Sequence, residues 1–215
     1  MPSPPPNRVE LFDLPSYVYD RRTGNFHGPL PSYVMVSRER IMALIQERID
    51  YHAREIVRLS QALTDGRITL AQWQQGMADR LKTLHLQQAA LARGGWQNIT
   101  PADKRRVTLL LKEQYRYLDG FARDIAAGKL SPAQIRWRAG LYADAGRQSY
   151  WKARTADEKG RGRRQERRIA VGDGGTCDPC ASLAAKGWRA IGTLPAPGGP
   201  PCEGINECRC EKEYR

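Results

Sequence analysis

Residues 65–73 read DGRITLAQW, and residues 127–135 read AGKLSPAQI. In each, a Thr or Ser precedes a Gln by three positions: Thr69 and Gln72, then Ser131 and Gln134. That is the spacing of a capping box, in which the first side chain bonds the backbone N–H of the third helical residue and the Gln reaches back to the capping residue. Two helices therefore begin here, and the likeness of the two stretches is read as convergence on one local chemistry.

Working outward, the apolar residues recur with a helical period. Ile41, Leu44, Ile45, Ile49, Ala53, Ile56, Val57 and Leu63 line one side of a helix that starts after Ser37 and is stopped by TDGR. Behind Thr69, Leu70, Trp73, Met77, Leu81, Leu84 and Leu91 form the inner face of a second helix, ended by RGG at 93–95. A third starts at TPAD, with Thr100 as cap and Pro101 in the first turn, where a missing N–H removes no helical bond. Its stripe is Val107, Leu110, Leu111, Leu118, Phe121 and Ile125, and Gly128 closes it. A fourth is predicted from Pro132 to Thr155, made thin by Ala139, Gly140, Ala143, Ala145 and Gly146 so that a neighbour can approach closely. The expected fold is mainly α: four long helices over 37–157, an extended Pro-rich arm over 1–36, an Arg-rich linker over 158–170 and a small Cys-rich loop/β metal-binding module over 171–215.

The arm holds Pro2, Pro4, Pro5, Pro6, Pro15, Pro29 and Pro31, half of the chain's 14 prolines. With weak apolar periodicity it buries little of itself and reads as either a mobile segment or, the preferred reading, one laid across a partner. One hairpin is expected in it, pairing Tyr17–Tyr19 with Tyr33–Val36 around RRTGNFHG.

The N-terminus has no basic start, apolar run and small-residue cleavage site, so no secretory signal is read there. The longest mostly apolar stretches, such as VTLLL, are too short to span a bilayer, and no membrane partner is expected. A reducing cytosol then favours metal binding over disulfides for clustered cysteines. The net charge of +12 makes polyanions the natural partners.

All five cysteines, Cys177, Cys180, Cys202, Cys208 and Cys210, fall in the tail. Its few large apolar residues cannot offset the entropy of ordering it, and a tetrahedral metal site would cross-link it. Cys177-x-x-Cys180 has the spacing of a first metal knuckle, and the other three offer the second half. Thiolates without His point to a structural zinc ion; disulfides formed after release, or free buried thiols, are the alternatives. Five sulfurs for four positions leave one over, and the spacing does not say which. Trp188 is expected to cover the knuckle.

The run EKGRGRRQERR (158–168) has two readings: a solvated linker, or a phosphate clamp formed by Arg161, Arg163, Arg164, Arg167 and Arg168. With no base-reading signature beside it, such a clamp would hold double-stranded DNA without regard to sequence. No nucleophile elbow, phosphate loop or paired-carboxylate pattern is present, and His27, His52 and His85 are dispersed, so no catalytic residue is assigned and no enzyme is expected.

The order of these features resembles a known family. Long helices containing GRITLAQWQQGMADRLKTLHLQQAALARGGW and QYRYLDGFARDIAAGKLSPAQ are followed by C-x-x-C, a Trp, a Pro/Gly stretch and a terminal CRC. Over roughly residues 38–215 this is similar to the minor head proteins of tailed phages, the head morphogenesis family typified by the phage Mu F protein. Members often end in an H-x-N-C-R-C-like motif; here the stretch is INECRC, with Ile205 in place of the His and Cys202 just upstream. The resemblance implies a non-enzymatic virion protein made in the host cytoplasm and present in few copies. Its partners would be portal or capsid proteins, with oligomeric placement in the virion and a part in head assembly and in DNA packaging or exit. The competing reading is a zinc-ribbon DNA-binding regulator, for which ASLAAKGW (181–188) would be a short, weakly charged recognition helix; a hydrolase built on the tail is a third, weaker one.

Overall fold

The computed structural model describes residues 18–28, 34–171, 175–204 and 208–215. All seven arm prolines and Ile205 lie outside the described residues. The molecule is mainly helical, with a few short strands and a Cys-rich C-terminal region.

The helix starts follow the local chemistry of their caps. Ser37 opens α1 (Arg38–Thr64) by accepting the Arg40 N–H at 3.2 Å. Complete capping boxes open α2 (Leu70–Ala92) with Thr69 and Gln72, α3 (Pro101–Ala126) with Thr100 and Asp103, and α4 (Pro132–Gly140) with Ser131 and Gln134.

The expected fourth helix is divided. α4 stops at Gly140, Leu141–Ala145 tighten into a 3-10 turn, and α5 continues over Gly146–Gly160. The backbone stays right-handed through the passage, with Gly140 at φ −57° and Gly146 at φ −55°. Packing explains the division: α4 lies against α1, whereas α5 lies against α2. A Cβ on Gly146 would stand 2.8 Å from Leu84 Cγ, so only glycine permits this approach of α5 to α2.

α2 touches α1, α3 and α5. From Leu84 to Ala92 every residue but Leu86 is buried, so the one-sided stripe expected of this helix describes only its first half. The polar side chains caught inside each find at least one partner, although Gln87 Nε2 and Gln88 Oε1 have none among the described residues. Gln88 Nε2 donates to Ile45 O at 2.9 Å, and Trp73 Nε1 donates to Ser60 Oγ at 2.9 Å. Gln114 Nε2 donates to Tyr142 O at 3.0 Å, which leaves its Oε1 to accept from His85 Nε2 at 2.8 Å. His85 Nδ1 then accepts the Ser149 hydroxyl at 2.7 Å, so the imidazole is held neutral in one tautomer. Burial lowers its pKa from 6.5 to about 4.

The N-terminal hairpin is tighter than expected. β1 (Val18–Asp20) pairs antiparallel with β2 (Asn25–His27), inside what was read as loop, and Met35 adds only a bridge to His27. Asp20 accepts the Arg22 N–H at 2.8 Å and the Thr23 hydroxyl at 2.7 Å, and Gly24 at φ +76° closes the turn. This part of the expected arm is docked on the helices. The Tyr19 ring lies on Gly94, and its hydroxyl donates to Asp157 Oδ2 at 2.7 Å. Asp157 also holds Arg93, which bonds both carboxylate oxygens of Asp103 at 2.9 Å.

Residues 165–169 are not a linker. They form β3 (Gln165–Ile169), the central strand of an antiparallel sheet between β4 (Arg189–Ala190) and β5 (Glu211–Tyr214). Strand alternation turns Glu166 and Arg168 inward, and each is met by an opposite partner. Glu166 accepts Lys212 Nζ at 2.9 Å and the Leu194 N–H at 2.7 Å; Arg168 donates to Pro195 O at 2.7 Å. One buried ion pair, Glu166 with Lys212, and one arginine-to-carbonyl bond thus hold inward a strand whose sequence looks made for solvent.

Candidate metal centre

Three separate segments supply the five sulfurs. Cys177 caps α6 (Asp178–Ala185) and Cys180 stands in its first turn, with the Cys180 N–H donating to Cys177 O at 3.0 Å. Cys202 follows the Pro/Gly stretch, its N–H held by Gly199 O at 2.9 Å. Cys208 and Cys210 lead into β5, and both are buried while Arg209 between them is exposed. The CRC thus turns both thiols to one face, as on a strand.

The sulfurs of Cys177, Cys180 and Cys202 lie within 4.8 Å of one another, as do those of Cys180, Cys208 and Cys210. Cys180 is therefore near all the other four. Cys177 Sγ and Cys202 Sγ are 3.9 Å apart. Four sulfurs at about 2.3 Å from a tetrahedral ion stand about 3.8 Å from each other, so this edge already has the required length. All five are free thiols, and the space they enclose with Val171, Gly175, Thr176, Gly204 and Arg209 is about 10 Å³, room for a single atom-sized guest. The cluster can hold a metal ion.

The electrostatics of the cluster point the same way. Burial pushes the Cys177 thiol up, but backbone N–H groups of Glu203, Cys180 and Gly204 outweigh it and bring its pKa down to about 7. Hydrogen bonding from the Cys210 thiol, against the pull of burial and with help from the backbone N–H groups of Cys210 and Gly198, brings Cys208 down to about 5. Cys180 and Cys202 are raised, chiefly by burial, and Cys210 chiefly by its bond to Cys208. Sulfurs this close compete for a limited number of negative charges, and a divalent cation among them removes the competition.

No family model, curated protein or solved structure matches the chain. What its site can do is therefore read from the residues themselves.

One contributor was not visible in the sequence. Arg147 of α5 is 3% exposed, its stem lies against Gly198, and its guanidinium donates to Gln46 and faces the charges of Cys208, Asp144, Asp50 and Cys202. Burial lowers its pKa against the pull of those anions. A cation from the helical body thus acts on the charges of Cys208 and Cys202. Nothing in the apolar period of the chain marks it.

The five arginines of the expected clamp do not share a face. Arg161 pairs with Asp157 and Tyr19, Arg163 lies 3.7 Å from Glu158, and Arg167 pairs with Glu213. Arg168 is 2% exposed, leaving Arg164 as the exposed member without a carboxylate partner among the described residues. Trp188 is not among the residues lining the sulfur cluster; it lies between Arg167 and Arg215, with ring-centroid distances of 4.8 and 4.4 Å. No helix among the described residues is long and apolar enough to cross a membrane.

Proposed function

We propose that this chain is a non-enzymatic structural protein whose tail is stapled by a zinc ion, and that it serves as a minor head protein of a tailed phage, associated with the portal or capsid. The single observation that carries the structural role is the all-sulfur donor set. Five buried or half-buried thiols around one atom-sized space can close a coordination sphere, with no His or carboxylate ligand among the described residues. A closed thiolate sphere serves folding, whereas a catalytic zinc keeps a coordination place for water. The virion role rests on the order of motifs: helices with their two TLAQ/SPAQ starts, C-x-x-C, the Pro/Gly stretch and CRC.

The competing DNA-binding regulator needs a basic helix beside the knuckle. α6 is eight residues long, DPCASLAA, and carries no Lys or Arg. The virion reading is therefore preferred.

Its test is cofractionation. In particles purified from a culture in which the encoding phage genome is induced, the chain is expected to travel with DNA-filled heads at a few copies each. Its presence in the lysate but absence from every purified head form would overturn the reading.

A further inference from the structure

The Arg-rich run displays part of the net charge of +12, through the exposed Lys159, Arg163 and Arg164. α3 displays more of it, in a row. Its apolar residues Val107, Leu111, Leu118 and Phe121 are buried, while Arg105, Lys112, Arg116 and Arg123 are exposed. At 3.6 residues per turn these four fall within about 40° of one another around the helix, in a row about 27 Å long. None of them pairs with a carboxylate among the described residues. Arg116 lies over the Tyr117 ring at 5.1 Å, and Arg123 Nε donates to the Asp119 carbonyl at 3.4 Å. The acid within the row, Asp119, has its carboxylate engaged by Gln74 Nε2 at 2.6 Å. Beside the row, α2 and α3 bound an open groove of about 970 Å³, to whose far wall Lys82, Gln74 and Gln75 contribute.

We propose that this outer face of α3 binds the backbone of duplex DNA without reading its sequence. The inference rests on the charge and shape of α3 and stands apart from the virion reading. Four exposed cations spread over about 27 Å can meet up to four phosphates of a duplex. The row contains no Asn or Gln to read base edges, so only phosphates are contacted. Sites for single strands need free stacking aromatics, and the Tyr117 ring is covered by Arg116 at 5.1 Å. A membrane-surface helix needs a free apolar face, and that of α3 is used against its neighbours. A protein interface centres on an apolar or aromatic anchor; Leu109, 70% exposed and about 20° from Arg116 around the helix, is the large apolar side chain beside the row, and it lies toward the Arg105 end rather than at the centre.

The experiment is a fluorescence-anisotropy titration of the full chain against a 30-base-pair random-sequence duplex at several salt concentrations. Each phosphate contact contributes about −0.9 to the slope of log K against log salt. Replacing Arg105, Lys112, Arg116 and Arg123 by Gln should make the slope shallower by about 3 to 4, and Arg105→Gln with Arg116→Gln by about half of that. Replacing Arg54, Lys159, Lys186 and Arg189 by Gln removes the same charge elsewhere and should leave the slope near that of the unaltered chain. All positions are exposed, and unchanged circular dichroism confirms folding. Equal losses from both sets, no duplex binding by the unaltered chain, or binding to anionic phospholipid vesicles in place of duplex would each overturn the proposal.

Discussion

The stem of Arg147 lies against Gly198: a Cβ at that glycine would stand 3.1 Å from Arg147 Cδ. Gly198 adopts φ +76° and its backbone helps to lower the Cys208 pKa, so an α5 arginine, a left-handed loop residue and a sulfur lie close together. The Cys-rich tail is thereby joined to the helical body rather than hanging from it.

Gly198→Ala strains a left-handed backbone and collides with the arginine stem; Arg147→Gln removes the cation that acts on the charges of Cys208 and Cys202. Groups that support metal ligands from behind are worth about 10- to 100-fold in affinity. Both variants should lose about 10-fold in zinc affinity in a chelator competition. Unaltered affinity in both would show that the contact carries no energy to the centre.

His85 sets an acid limit on stability. Its pKa is about 4 in the fold against 6.5 when free, so between these pH values the unfolded chain binds a proton that the folded one refuses. The contribution of neutral His85 is complete above pH 6.5, declines as pH falls, and is spent at about pH 4. A shift of this size corresponds to about 3 kcal/mol. Urea denaturation at pH 7 and pH 4.5 should show most of that loss in the unaltered chain, and His85→Gln should flatten it. A His85→Gln variant with undiminished acid sensitivity would sink this assignment.

Gly94 is the floor under Tyr19. At φ +73°, with a would-be Cβ only 2.0 Å from Tyr19 Cγ, it tolerates no side chain. Gly94→Ala should displace the β1–β2 hairpin while leaving the helices, and the backbone strain alone is about 1–2 kcal/mol. Hydrogen exchange reports the outcome: amides of 18–28 should lose protection and those of α2 should keep it. Retained protection over the hairpin would mean that the ring contact does not hold it.

Much of this architecture was written locally. The starts at Thr69, Thr100 and Ser131 follow from side chains three residues apart, and local chemistry survives whatever packs around it. The Cys177–Cys180 spacing likewise announced a sulfur site. What escaped depends on distant partners. Glu166 and Arg168 look solvated until Lys212 and Pro195 O, dozens of residues onward, meet them. The division at Gly140–Gly146 answers two different neighbours, α1 and α2, and the buried second half of α2 reflects three. Arg147 reads as an ordinary helical cation, because its role arises from a loop some fifty residues later in the chain.

The proposed staple of the tail is an ion held by sulfur. Metal analysis by mass spectrometry of chain purified in reductant, without added metal or chelator, tests it most directly. About one zinc per chain is predicted, falling to none in Cys180→Ser, the sulfur near all the others. A reduced, folded chain with five titratable thiols and no bound metal would contradict it.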